Sequence, residues 1–262
     1  MALKALIFDC DGTLAETADV KRAAFNRAFS EAGLDWVWGR ATYAQIIASA
    51  LPGREVELFA SLRHPDLFAR MEGKNVFDAI LARQRAICLD MLDSGAAPLR
   101  PGVARILSEA VQSGIKLAFS STSPRAELEA LLFVRFGLDM VKALHLEADT
   151  ARATPLEAYR AALRGLGCRA SEVVAIDDSA QGVAAAAGLG MTVIATPGYY
   201  TRTQKFRGAS VVLSDLGHPA APLTVLAGPR DHRGYVTLAT LERWHHTSKR
   251  KTAAAVQAPA AA

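Results

Sequence analysis

Four short apolar runs punctuate the chain: Lys4 to Phe8, Lys116 to Phe119, Val173 to Ile176 and Thr192 to Ala195. Each has the length and continuity of a strand buried in a parallel sheet. Between them, alanine-rich segments carry helical periodicity, namely Val103 to Gln112, Arg125 to Phe133, Pro155 to Leu166 and Gln181 to Ala187. Strand alternating with helix predicts βαβ units with right-handed crossovers, hence an α/β, doubly wound, Rossmann-like core. The stops agree. Ser113-Gly114 and Gly165-Leu166-Gly167 sit where a helix should end before the next strand.

The first two strands lie too far apart for one crossover. Residues 16 to 97 hold helical stretches at Val20 to Ala32, Ala41 to Ala50 and Val76 to Asp93, which predicts an inserted helical domain. Ala97 to Gly102 marks its exit. The expected organisation is a discontinuous core of residues 1–15 and 98–235, a helical insertion over 16–97, and a terminal segment over 236–262. That last segment carries one short helix, Leu238 to His245, and a disordered Ala/Pro-rich tail.

Composition narrows the classes. The 262 residues are 51% hydrophobic, enough for a sizeable core, yet no run suits a transmembrane helix. The opening residues read as a first strand and not as a signal peptide. Cys10, Cys88 and Cys168 are scattered without CxxC spacing, so a disulfide framework or structural zinc is not expected and a cytoplasmic setting fits. The net charge of +4 includes Lys249-Arg250-Lys251 near the tail, which reads as a solvated terminus with no nucleic-acid role. The six histidines show no ligand spacing, and His245-His246 reads as an exposed helix end.

Chemistry gathers where strands end. The first run leads into Asp9-Cys10-Asp11-Gly12-Thr13, the second into Ser120-Ser121-Thr122-Ser123, the third into Asp177-Asp178-Ser179. Ligands of open α/β sheets bind at the carboxyl ends of strands. Four acids and several hydroxyls delivered there call for a hard cation such as Mg²⁺ that also takes phosphate oxygens. Asp9 is placed to attack phosphorus, and Asp11, two residues on, to act as acid and base on the same face. Gly12 allows a sharp turn whose N–H groups can hold phosphate, and Ser121 can bond a transferring phosphoryl group. Such residues also serve as turn formers and helix caps. Cys10 alternates away from the site and reads as packed, while Trp36, Trp38 and Phe59 could fill a small core or line a mouth.

Asp9-Cys10-Asp11-Gly12-Thr13-Leu14, Ser121 and Asp177-Asp178-Ser179-Ala180-Gln181-Gly182 resemble the motifs of the haloacid dehalogenase superfamily of phosphohydrolases, over about residues 3 to 217. Arg22 to Asn26, Glu31 to Trp36, Leu99 to Val103 and Thr196 to Thr201 are similar to its CbbY-like subgroup, which dephosphorylates small sugar phosphates. The resemblance implies Asp9 as nucleophile, Asp11 as acid/base, Ser121 and Thr122 on the phosphate, and Mg²⁺ held by Asp9, Asp178, Asp177 and the Asp11 carbonyl. It makes the insertion a cap, with Lys21 and Arg54 as cations for the substrate. The implied partner is a small phosphorylated metabolite, and a monomer is the default.

The chain departs from the pattern in places. The third motif normally sets a lysine before a proline; here stands Thr154-Pro155, with Arg152 as the nearest cation to take that catalytic place. Ala18 and Lys21 replace a usual glutamate and histidine, and Gln84 a usual cap lysine. These departures leave two alternatives open: a weakened member that binds a phosphorylated ligand or a protein, and a sugar phosphomutase.

Overall fold

A computed structural model describes residues 2–51, 53–71, 75–121, 123–143, 154–231 and 233–257, with main chain alone over 135–143 and 249–257. The chain forms two compact units, Met1–Glu16 with Pro98–Ala262, and Thr17–Ala97.

In the larger unit, β1 (Ala5–Asp9), β2 (Lys116–Ser120), β3 (Val173–Asp177), β4 (Thr192–Ala195), β5 (Val211–Leu213) and β6 (Val225–Ala227) make one sheet in the order β2-β1-β3-β4-β5-β6. All neighbours are parallel except β5 and β6. The last two strands, three residues each, were not expected from the sequence, being too short to leave a periodic signal.

Side chains alternate across a strand, so a sheet covered on both faces needs apolar residues throughout. Leu6, Phe8, Leu117, Phe119, Val174 and Ile176 point to one face. They meet Val103, Ile106, Leu107 and Ala110 of α6 (Val103–Gln112) and Leu128 and Leu132 of α7 (Arg125–Ala143). Ala5, Ile7, Ala118, Val173 and Ala175 point to the other face, against α8 (Pro155–Leu166) and α9 (Ala180–Gly188).

The last helix, α10 (Leu238–Gln257), is longer than the stretch expected from the sequence, and Leu238, Leu241 and Trp244 join the core of the larger unit. His245 is accordingly no exposed helix end: it is fully buried, with Nδ1 3.0 Å from the Thr192 hydroxyl. One turn of helix puts Leu241, Trp244 and His245 on a single buried stripe. The tail beyond residue 257 lies outside the described residues.

The smaller unit holds α1 (Thr17–Glu31), α2 (Arg40–Ser49), α3 (Glu55–Arg63), α4 (Pro65–Met71) and α5 (Val76–Asp93). Its interior is aromatic. Trp36, Trp38 and Phe59 are buried and fill that interior. The Trp38 ring centroid lies 4.7 Å from Phe25 and 4.8 Å from Phe29. Asn26 fastens the loop that carries it, accepting from the Trp38 N–H at 2.7 Å and donating to its carbonyl at 3.1 Å.

Candidate active site

Strand order explains where acids can meet. The chain passes from β1 to β2 on one side and then crosses back to β3 on the other, and this reversal opens a crevice at the carboxyl end of β1. The register sets Ser120 beside Asp9 on one side and Ile176 beside Phe8 on the other, which brings Asp177 next to Asp9. Asp9, Asp177 and Asp178 each offer a carboxylate oxygen, and the three oxygens lie within 4.8 Å of one another.

Burial of three like charges disfavours ionisation. Burial first, then Asp177, Asp178 and Asp11, push Asp9 well above the usual carboxylate range. Asp178 is raised to about 7 by burial and by Asp177, against the pull of the Thr201 hydroxyl and Arg100. Asp177 is raised by burial, while hydrogen bonds from Ser179 and Tyr159 work the other way. Asp9 Oδ2 is buried with no hydrogen-bond partner among the described residues. Three clustered carboxylates, one with a buried oxygen left unbonded, suit an oxygen-seeking divalent cation, so the residues fit Mg²⁺.

The surrounding loops fix each acid. Thr201 donates to Asp178 Oδ2 at 2.9 Å, and Thr13 reaches Oδ1 at 3.4 Å. Gly12 packs against the same carboxylate with φ +84°, and a Cβ there would lie 2.5 Å from Asp178 Oδ2. Glycine is needed on both counts. Its N–H donates to the Ala15 carbonyl at 2.9 Å and closes the turn.

β1 ends at Asp9, the chain turns, and the Asp11 carboxylate accepts a hydrogen bond from the Ser123 hydroxyl. It stands outside the group of three oxygens but near enough to raise both Asp9 and Asp178. Ser121, one residue beyond the partner of Asp9, is buried, and its hydroxyl accepts from the Ser123 N–H at 3.1 Å. Cys10 is buried in the apolar core, as its alternation predicts.

Lys21 (half-buried on α1) and Arg54, which pairs with Glu57, belong to the smaller unit. Gln84 is buried on α5, within that unit's interior. Thr122 and Arg152 lie outside the described residues. Thr154 is the N-cap of α8: its hydroxyl accepts from the Glu157 N–H at 3.3 Å, while Glu157 accepts from the Thr154 N–H at 2.7 Å.

Two residues near the acids carry no role from sequence reasoning. Arg100 is buried and donates to the carbonyls of Gly12, Thr196, Pro197 and Ser214, besides pairing with Glu16 at 3.2 Å. One guanidinium thus ties together the loops after β1, β4 and β5. Tyr159, on α8, donates to Asp177 Oδ2 at 2.7 Å. Neither contact spans fewer than 18 residues of sequence, so no local pattern announces them.

The model of the haloacid dehalogenase-like hydrolases matches residues 3–190. The chain belongs to that family. Within it, the chain is 36% identical to the plasmid-borne protein CbbY of Cupriavidus necator over 248 residues, covering 93% of this chain and 97% of that one. Crystal structures of CbbY from Rhodobacter sphaeroides agree. The complex with phosphate superposes with a TM-score of 0.66 at 31% identity, covering 81% of this chain and 94% of that one. A variant bound to xylulose-1,5-bisphosphate gives 0.65 at 32%, with the same coverage. The chain is therefore an enzyme, a CbbY-like phosphohydrolase, and its parallel sheet with flanking helices is the fold of the family. No helix among the described residues is long and apolar enough to cross a membrane.

Proposed function

We propose that the protein hydrolyses the phosphate ester of a small sugar phosphate or bisphosphate with Mg²⁺, through a phosphorylated Asp9. The convergence of Asp9, Asp177 and Asp178 within 4.8 Å, with Asp9 Oδ2 unbonded, carries this reading. Asp9, Asp178, Asp177 and the Asp11 carbonyl would hold the ion. Once bound, Mg²⁺ supplies the positive charge that lets the acids ionise together and neutralises phosphate oxygens.

The residues divide the work. A carboxylate oxygen of Asp9 attacks phosphorus; the ester P–O bond breaks, and the leaving oxygen takes the proton of Asp11. Asp11, now ionised, accepts a proton from the water that attacks the same phosphorus. The P–O bond to Asp9 breaks, releasing inorganic phosphate and restoring the carboxylate. Ser121 holds a phosphoryl oxygen, as positioning is most of what phosphoryl transfer requires. The smaller unit acts as the cap, with Lys21 and Arg54 attracting an anionic sugar and Arg152 as the third-motif cation. The xylulose-1,5-bisphosphate complex of a relative favours sugar bisphosphates as the first class to try.

The test is phosphate release from a panel of sugar mono- and bisphosphates, with Mg²⁺ or EDTA, for the wild type and Asp9→Asn. Release that needs both Mg²⁺ and Asp9 is expected. No release from any ester would overturn the reading, and isomer interconversion without release would make the enzyme a mutase.

A further inference from the structure

Asp177 is boxed in from three sides. Tyr159 donates to Oδ2 at 2.7 Å; the Ser179 N–H and hydroxyl donate to Oδ1 at 2.8 and 2.9 Å. The floor is Gly182, where a Cβ would stand 1.9 Å from Oδ2. Asp9 differs, with one oxygen unbonded. A carboxylate gripped at both oxygens has lost its freedom to rotate, and the acceptor site left on Oδ2 points in a fixed direction. Ser179 is accounted for locally, since it also caps α9, accepting from the Gly182 N–H at 3.0 Å.

Tyr159 has no such second task. Its ring belongs to the apolar layer under the sheet, 1% exposed, so phenylalanine would fill the space equally well. The hydroxyl alone reaches out of that layer to the acids.

We infer that Tyr159 is a positioning residue of the cation site: its hydroxyl fixes Asp177 so that the three carboxylates present a preformed site. The inference rests on the proposed Mg²⁺ reading and assigns to one hydroxyl the order within that site. Groups that hydrogen-bond metal ligands commonly change affinity by 10- to 100-fold when removed.

The experiment is calorimetric titration of Mg²⁺ into metal-free protein without substrate, for wild type, Tyr159→Phe, Asp177→Asn and the double variant. Tyr159→Phe is expected to weaken Mg²⁺ binding roughly tenfold or more, with circular dichroism and melting temperature of the metal-free protein close to wild type. In the double variant the two losses should not add, because the hydroxyl acts through the carboxylate. Unchanged Mg²⁺ affinity in Tyr159→Phe, or additive losses, would overturn the inference while leaving the proposed function standing. A wild type that binds no Mg²⁺ would overturn both.

Discussion

The interior of the helical unit sets rings against rings, Trp38 with Phe25 at 4.7 Å and Phe29 at 4.8 Å, whereas the rim of the sheet gathers three carboxylates within 4.8 Å of one another. The first arrangement gains hydrophobic and dispersion energy at every contact and carries no net charge. The second opposes folding when ionised, because each acid loses hydration and faces two like charges. The packed rings and the acid cluster thus lie in different units. Substitutions at the rim should cost function and not stability; substitutions among the rings should do the reverse.

Asp9→Asn puts the largest difference on that comparison. Loss of the attacking oxygen is expected to lower kcat by at least about three orders of magnitude. Without Mg²⁺ the variant should melt at or above the wild-type temperature, since an amide removes one buried charge, the usual trade between stability and activity. Melting curves and phosphate release on the same preparations check both halves. A large stability loss would mean that Asp9 holds the fold together.

Trp38→Ala is the mirror experiment. Its side chain is fully buried, and emptying that volume should cost about 3–5 kcal/mol. The affinity of the metal-free protein for Mg²⁺ should stay within about twofold, as the acids lie in the other unit. Denaturant unfolding and Mg²⁺ titration separate the outcomes. Weakened Mg²⁺ binding would dissolve the division between the units.

Much of this division is legible in the sequence, and what is not has physical causes. The runs ending in Phe8, Phe119 and Ile176 predict the strands, each of which extends one residue further, because strands buried on both faces must be apolar throughout. Helices such as Val76–Asp93 and Pro155–Leu166 have the expected bounds, being long and periodic. The short α3 and α4 lack that length and were not expected. Acids at the ends of β1 and β3, and hydroxyls at the end of β2, are visible in the chain, but the hydrogen bond from Ser123 to Asp11, across 112 residues, is not. Arg100 and Tyr159 escaped for the same reason: their partners lie 88 and 18 residues away, and only the fold supplies the contact. Thr154-Pro155-Leu156-Glu157 is the opposite case, a capping box open to sequence reading whose Thr154 reads there only as a missing lysine.

The acid rim also makes stability depend on pH in a way the aromatic interior cannot. Asp178, raised to about 7 in the folded chain, has an unfolded value near 4. Between these values the folded state holds more protons than the unfolded one. This contribution is therefore complete below about pH 4 and is lost as pH rises through about 7. Metal-free protein should lose on the order of 4 kcal/mol from this source across that window. The stabilisation given by Mg²⁺, which replaces the proton, should grow over the same range. Melting curves at several pH values, with and without Mg²⁺, check the slope, and Asp178→Asn should flatten it. A wild-type slope left intact in that variant would assign the effect to other groups.

The smallest effect concerns Thr154, where the departure from the family pattern coincides with a helix start. Its hydroxyl accepts from the Glu157 N–H, and a lysine in its place could not cap the helix by that bond. Thr154→Ala should cost about 1 kcal/mol by loss of the cap, while kcat/KM changes little, since the hydroxyl is engaged with the helix end. Thr154→Ser retains the acceptor and should restore most of the stability. A fall in kcat/KM for Thr154→Ala without a matching fall in melting temperature would place this residue at the phosphate, on the chemical side of the comparison.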